Sequence, residues 1–213
     1  MTLNVETLGR DDRAGFDQML GIYRASIESS EQKPPETIAG LLQDKRYSIL
    51  VARNAASVIG FAMSFLPEGQ DFWLLEYMAV DARARSSGVG VALFRAALSA
   101  GHGHGGPCVL EVDQPGAPAS ANNDPAARLR FYARQGCRRV QGLSYILPLD
   151  VAGQPPPMHL LVHGLRDQAS LPAATLRRWL STIYTDVYAC AAHDPRIDRM
   201  LSTLGPEVAL APL

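Results

Sequence analysis

The amino-acid sequence predicts a mixed α+β fold, with a central, mostly antiparallel twisted sheet flanked by helices. Three apolar segments, at residues 47–53, 58–65 and 72–80, follow one another across short turns. Strands joined by short turns are usually antiparallel neighbours. A helical segment at 89–100 then leads to another apolar segment at 108–112, which can join the sheet in parallel. The sheet is therefore expected to be mixed.

Further elements are predicted on both sides of this group. Residues 3–8 alternate between polar and apolar positions, as in a short strand, and helical spacing of apolar residues covers 14–29 and 36–42. A helix beginning at Asp124 and Pro125 is expected to run to about Arg134. After it we expect a hairpin and one more strand, with the strands placed at 137–140, 144–149 and 158–163.

The last part of the chain is predicted to be an appendage. A proline-rich break at 154–157 precedes two helical patterns, one capped by Ser170 and one beginning at Asp194. We expect one domain over residues 1–165 and a two-helix extension over 166–213. The extension would pack on the domain or form a dimer contact.

Composition excludes several classes of protein. The 213 residues carry a net charge of -1, which does not favour nucleic acid or an anionic membrane as a partner. Cys108, Cys137 and Cys190 are widely spaced and odd in number, so a reducing cytosol is expected rather than a disulfide framework. Cys108 and Cys137 are expected to be packing residues. The beginning of the sequence does not resemble a signal peptide, and no apolar stretch is long enough for a membrane helix. The expected location is the cytoplasm.

Residues 74–100 form the segment that is richest in functional signals. An apolar strand leads into a polar loop that contains Arg85, and Gly88 and Gly90 then open an apolar helix. Glycines at a helix start let a ligand approach the backbone, and the helix dipole and its open N–H groups attract phosphate. A P-loop would require a Lys after the glycines, and a dinucleotide fingerprint would require a third Gly where Leu93 stands. The segment therefore predicts another kind of pyrophosphate site.

A second glycine-rich stretch at 101–106 matches GxGxxG by letter but follows a helix, so we interpret it as a connection. His102 and His104 lie within it. Other ligands are not evident near these two histidines, so no metal is expected.

The sequence Arg85-Ser-Ser-Gly88-Val-Gly90 after an apolar strand resembles the coenzyme A loop of the GNAT acyltransferases. A second block, ARLRFYARQGCRRV, resembles the last motif of that family, with Tyr132 and Gly136 at the expected positions. Two positions depart from the family pattern. Cys137 replaces the frequent Phe, and Pro125 stands where the family often has Asn, a role that Asn122 or Asn123 could take if the loop folded back.

The resemblance implies a GNAT fold over roughly residues 46–147, with acetyl-CoA as co-substrate. It implies that the backbone of Met78 and Val80 pairs with the pantetheine arm, that the Met78 N–H donates to the oxyanion, and that Tyr132 is the general acid. The residues implied to bind the coenzyme are Met78, Ala79, Val80, Arg85, Ser86, Ser87, Gly88, Val89, Gly90, Val91 and Tyr132.

Glu76 is the candidate general base. It is a carboxylate in an otherwise apolar strand, and burial would raise its pKa toward neutrality. An equally weighted alternative is a structural Glu that orders a nearby cation or the strand end. Glu111 on the neighbouring predicted strand is a rival base, or a ligand for the substrate amine. Glu28, Glu31 and the loop at 113–123 are expected to line the mouth through which the acceptor enters.

These observations predict an N-acetyltransferase that transfers the acetyl group of acetyl-CoA to a primary amine on a small molecule, peptide or protein. The alternative from another class is a GNAT-fold module that binds acyl-CoA and regulates or scaffolds without catalysis. A nucleotide-binding protein of unrelated fold is disfavoured by the missing phosphate-loop Lys. We expect a monomer or homodimer without a metal, nucleic acid or membrane partner.

Overall fold

The computed structural model describes residues 3–115, 124–149 and 158–213. The chain divides into two compact units, an N-terminal unit over Met1–Gly106 and a C-terminal unit over Pro107–Leu213. The boundary expected near residue 165 remains a prediction.

Over residues 3–106, the N-terminal unit has four strands, each antiparallel to the next in chain order, as the predicted meander requires. The strands are β1 (Leu3–Thr7), β2 (Tyr47–Asn54), β3 (Ser57–Phe65) and β4 (Trp73–Val80). The helices are α1 (Arg13–Ser26), α2 (Pro35–Leu41) and α3 (Val89–His102). This part of the structure confirms the predicted mostly antiparallel sheet with flanking helices.

One face of this sheet forms an apolar core with α1 and α2. Met19 and Tyr23 of α1, Ile38 of α2, and Phe61 and Met63 of β3 are almost completely buried in it. The remaining helix, α3, contacts β2, β3 and β4. Tyr77 and Ala79 of β4 pack against this core, so it supports the part of β4 that carries several predicted site residues.

Glycines allow α3 to approach the sheet closely. A Cβ atom on Gly60 of β3 would lie 2.9 Å from Leu93 Cδ1, and one on Gly101 would lie 2.2 Å from Trp73 Cε2. The helix predicted over 89–100 continues through Gly101 to His102. Gly101 is the position at which the Trp73 ring meets the helix backbone.

In its described residues, the C-terminal unit has five strands in the order β5-β7-β6-β9-β8, all antiparallel to their neighbours. The strands are β5 (Cys108–Asp113), β6 (Arg138–Val140), β7 (Met158–His163), β8 (Ser170–Pro172) and β9 (Glu207–Pro212). The helices are α4 (Pro125–Arg134), α5 (Ala173–Thr182), a π-helical turn (Ile183–Val187) and α6 (Pro195–Leu201). Asp124 caps α4, as predicted.

The predicted hairpin after α4 is wrong. Residues 144–149 do not form its second strand, and only Tyr145 makes an isolated bridge, to Met158. Instead β6 pairs with β7 on one side and with β9 on the other. Both edges of β6 are thus taken by strands distant in sequence, which leaves none for its immediate neighbour.

The extension predicted as two helices also contains two strands. Ser170 is the first residue of β8 rather than a helix cap, and α5 begins at Ala173. β9 follows α6, and its buried Val208 and Leu210 alternate with Glu207 and Ala209 on the exposed side. That period of two is the sequence signal that indicates a strand there.

The helical segment at 173–187 has a buried apolar stripe. Its members are Leu176, Trp179, Leu180, Ile183, Tyr184 and Val187. Within the described ranges, the structure contains no helix that combines the length and apolar character needed to cross a membrane.

Candidate active site

Strand β4 is interrupted by a bulge at Glu76. Met63 of β3 pairs with Tyr77, but Ser64 pairs with Leu75, so Glu76 is the extra residue of β4. A bulge re-aims the side chains around it and is frequent beside active sites. Here it turns Glu76 toward the side of the sheet where Tyr77 packs with the α1 and α2 core.

The Glu76 carboxylate is buried against a cation and a phenol. Its side chain is 1% exposed, and its Oε1 lies 2.8 Å from Nζ of Lys33, which is 15% exposed. The Tyr47 phenol lies close enough to the same carboxylate to interact with it electrostatically. Burial raises the pKa of Glu76, and its interactions with Lys33 and, to a smaller extent, Tyr47 oppose that rise without cancelling it. A raised pKa makes this carboxylate a stronger base than an ordinary glutamate.

The segment that supplies Lys33 is fastened to the core by two tyrosines. The Lys33 backbone N–H donates to the Tyr23 hydroxyl at 2.7 Å, and the Tyr77 hydroxyl donates to the Glu31 carbonyl at 2.9 Å. The two rings meet edge to face at 5.1 Å. Glu31 is thus held beside β4 and is half-buried, whereas Glu28 is exposed.

Residues Met78, Ala79 and Val80 continue β4 beyond the bulge and pair with β3 through Ala62, Phe61 and Gly60. All three are half-buried. The expected donation by the Met78 N–H to a substrate oxygen remains a prediction.

The loop after β4 has the backbone shape that the glycine pattern indicated. Ser86 and Gly88 have positive φ angles of 61° and 86°. Gly88 is the N-cap of α3 and makes no side-chain cap, so the first amides of α3 have no capping side chain. Residues 85–88 are exposed, and Gly90 and Val91 are half-exposed. A negatively charged group can therefore reach these amides.

Hydrogen bonds within the loop hold that shape. Ser87 Oγ donates to the Ala84 carbonyl at 2.6 Å, and Arg85 Nε donates to the Val80 carbonyl at 3.4 Å. Asp81 accepts two hydrogen bonds from the Arg83 side chain, which lowers the pKa of Asp81 to about 2. Arg83 is thus engaged by a carboxylate, and Arg85 lies closer to the helix start in sequence.

Tyr132 is a buried residue of α4 in the C-terminal unit. Burial raises its pKa, so the phenol keeps its proton through the neutral range. The ion pair between Arg128 and Asp113, at 2.7 Å, fastens α4 to the end of β5.

Burial also raises the pKa of the Cys137 thiol to about 12, which agrees with the expected packing role.

Glu111 of β5 lies among tyrosines. It accepts hydrogen bonds from the hydroxyls of Tyr145 and, at 2.6 Å, Tyr188. Each of its carboxylate oxygens therefore has a phenol donor. Sequence reasoning missed both tyrosines, because neither is near Glu111 in the chain.

Several segments that the sequence analysis singled out lie outside the described residues. Asn122, Asn123 and the proline-rich break at 154–157 lie outside the described residues, as does most of the loop at 113–123. In the described part of the chain, no three His, Cys, Asp or Glu side chains come together as a metal site would require.

Comparison with known proteins identifies the family. The family model for the acetyltransferase (GNAT) family matches residues 16–137. The chain belongs to the GNAT family. GNAT proteins are acyltransferases, so the predicted enzyme class and the predicted resemblance are both confirmed. No curated protein matches the chain.

Solved GNAT structures share the fold. A GNAT-family protein from Bacteroides thetaiotaomicron is 21% identical, with a TM-score of 0.67 over 88% of this chain and 99% of its own. The ribosomal-protein-S18-alanine N-acetyltransferase from Escherichia coli is 18% identical, with a TM-score of 0.57 over 76% of this chain and 92% of its own. An aminoglycoside 6'-N-acetyltransferase complexed with coenzyme A is 14% identical, with a TM-score of 0.57 over 75% of this chain and 96% of its own. These likenesses confirm the predicted GNAT fold.

Sequence reasoning missed the groups that surround the candidate base. Lys33 and Tyr47 both contact Glu76, and neither belongs to a motif in the sequence. Lys33 stands in a polar, proline-broken loop, which gave no signal beyond its charge. The bulge at Glu76 likewise leaves no local signature, because it is defined by the register between two strands.

Proposed function

We propose that this GNAT protein transfers the acetyl group of acetyl-CoA to a primary amine by direct attack in a ternary complex. The observation that carries the proposal is the buried Glu76 carboxylate, placed by a bulge in β4 and given a raised pKa. Among its structural neighbours are acetyltransferases for a ribosomal-protein alanine and for an aminoglycoside, which supports an amine as acceptor.

The residues of the loop after β4 fit the diphosphate of coenzyme A. Exposed backbone at residues 85–88, the uncapped start of α3 and the Arg85 side chain together provide N–H groups and positive charge. The proposed coenzyme contacts are those predicted from the sequence: Met78, Ala79, Val80, Arg85, Ser86, Ser87, Gly88, Val89, Gly90, Val91 and Tyr132. The coenzyme, when bound, supplies the activated acetyl group.

Three residues of the chain are proposed to take part in catalysis, as a base, an oxyanion donor and an acid. Glu76 accepts a proton from the acceptor ammonium, directly or through water, because only the free amine has a lone pair. The Met78 N–H donates a hydrogen bond to the carbonyl oxygen as negative charge grows on it, which is worth roughly 3–4 kcal/mol for such a donor. Tyr132 donates its proton to the departing sulfur.

Substituting Gly88 tests the diphosphate site. We expect Gly88→Ala to raise the Kd for coenzyme A about tenfold, because a Cβ strains a residue at φ 86° and moves the amides that follow. Isothermal titration calorimetry with coenzyme A measures this.

Gly69→Ala is the matched control. Gly69 also has a positive φ, of 69°, and a Cβ on either glycine would meet nothing within 4 Å. The control should share the strain and leave Kd unchanged. Equal Kd values for Gly88→Ala and the unmodified protein would argue against the site, and no heat of binding in the unmodified protein would refute the proposed function.

The acceptor is proposed to enter beside acidic side chains. Glu31 is fixed next to β4 through Tyr77, and Glu28 is exposed on the same turn. Glu111 is the third proposed acceptor contact, and it remains the alternative base. Carboxylates suit an acceptor that arrives as an ammonium ion.

A double Glu28→Gln, Glu31→Gln variant should raise KM for amine acceptors about tenfold, through loss of charge-assisted hydrogen bonds. KM for acetyl-CoA should not change. The assay is release of free thiol across a panel of acceptor amines, with Glu36→Gln, an exposed residue of α2, as the control. Undiminished activity in the double variant would remove both residues from the acceptor site.

The same panel separates the enzyme from the alternative, a binding module. Coenzyme A binding without turnover of any acceptor would favour regulation or scaffolding.

The three cysteines are free, which supports the cytoplasm as the proposed location.

A further inference from the structure

The C-terminal unit contains a cavity of about 360 Å³ that none of the proposed acetyl-transfer residues lines. Leu129 and Ala133 of α4 form one wall, and Pro212 of β9 contributes another apolar surface. Along α4, these residues lie on a different face from Arg128 and Tyr132, because a helix advances about 100° per residue. The cavity is therefore separate from the proposed general acid.

Three basic side chains reach this cavity, namely Arg130 of α4, Arg139 of β6 and His159 of β7. Arg139 pairs across the strands with Leu161, and His159 is two residues away from Leu161 on β7, so both face the same side of the sheet. Both side chains line the same cavity, where burial and, to a smaller extent, the Arg139 charge lower the pKa of His159.

Among the residues that the structure describes, Asp and Glu side chains do not form a close ion pair inside the cavity. No Asp or Glu side chain is among the lining residues. In the same described ranges Arg139 has no salt bridge, and Arg130 only approaches Asp124 at 3.8 Å, with both side chains more than 60% exposed. A half-buried guanidinium that lacks a counter-charge favours an anion as its partner.

We propose that this cavity binds a small organic anion, in which one carboxylate, sulfonate or phosphate group is joined to an apolar body. Arg139 and Arg130 would hold the anionic group, since a guanidinium donates paired hydrogen bonds to such groups. Leu129, Ala133 and Pro212 would contact the apolar body. The volume falls within the roughly 300–1,000 Å³ range of small-molecule sites. This site is independent of the proposed acetyl transfer.

Anilinonaphthalene sulfonate is a suitable probe, because it joins a sulfonate to an aromatic body and fluoresces when bound. The full chain is titrated with it in the presence of excess coenzyme A, and in parallel with phenylnaphthylamine, a neutral relative. We expect saturable binding that coenzyme A does not displace, with at least tenfold preference for the sulfonate. Equal affinity for the two dyes, or displacement by coenzyme A, would overturn the proposal.

Substitutions in and beside the cavity test whether the dye binds there. Arg139→Gln should weaken sulfonate binding about tenfold or more and abolish the preference for the anion. Ala133→Trp, at an exposed position of α4, should fill the cavity and weaken both dyes. Arg134→Gln, also exposed on α4 but outside the lining, should bind as the unmodified protein does. If Arg139→Gln and Ala133→Trp both bind the sulfonate normally while keeping the Tm of the unmodified protein, the assignment is wrong.

Discussion

Replacing Glu76 with Gln is expected to lower kcat for acetyl transfer by roughly 10²–10⁴, the range that general acid–base catalysis contributes. The amide has nearly the shape of the carboxylate but cannot accept a proton from the acceptor ammonium. Coenzyme A binding, measured by calorimetry, should be unchanged, because Glu76 is not among the proposed coenzyme contacts.

The pH dependence gives this prediction a specific signature. Burial raises the pKa of Glu76, so kcat/KM should fall on the acidic side at a pH above that of an ordinary glutamate, as the base becomes protonated. Lys33 opposes the rise, so Lys33→Gln should move this acidic limb to still higher pH. A purely structural role for the ion pair would change stability without moving the limb.

Glu111→Gln is the decisive comparison, since Glu111 is the rival base. We expect this variant to keep the acidic limb. The two tyrosine hydroxyls donate to different oxygens of Glu111, so in the variant one hydroxyl can still donate to the amide oxygen and the other can accept from the amide N–H. If Glu111→Gln lost the limb and Glu76→Gln kept it, the two carboxylates would exchange roles. The structural interpretation of Glu76 would then stand.

The second large effect is expected from Tyr132→Phe, which should lower kcat roughly 10²-fold because the departing thiolate would lose its proton donor. Burial raises the pKa of Tyr132, so the phenol stays protonated to high pH. Activity that depends on it should decline only above the ordinary tyrosine range, where the phenol ionises. Steady-state kinetics with pH profiles for both proteins measure the effect.

Phe131→Leu is a control on the same helix. Phe131 meets Tyr132 edge to face at 5.1 Å, so its truncation perturbs packing around Tyr132 without removing the hydroxyl. We expect a small loss of stability and nearly normal kcat. Normal kcat in Tyr132→Phe would exclude Tyr132 as the acid.

Much of the candidate site was predictable because its signals are local. A strand, a polar loop and a glycine-opened helix are encoded in consecutive residues, and the structure has β4, the loop and α3 where the sequence predicted them. The isolated acid in an apolar strand was equally visible. The prediction of strand pairing failed where the paired strands are far apart in sequence. The predicted partner of β6 was a neighbouring hairpin strand, whereas β7 and β9 occupy its two edges.

The sequence alone determined the fold class, the family and the type of loop that could receive a diphosphate, since periodicity and turn chemistry act between near neighbours in the chain. Tertiary structure alone decided the environment of Glu76. The bulge depends on the register between β3 and β4, and Lys33 and Tyr47 reach the carboxylate from distant segments. A pKa is set by burial and by nearby charges in space, which the order of residues does not specify.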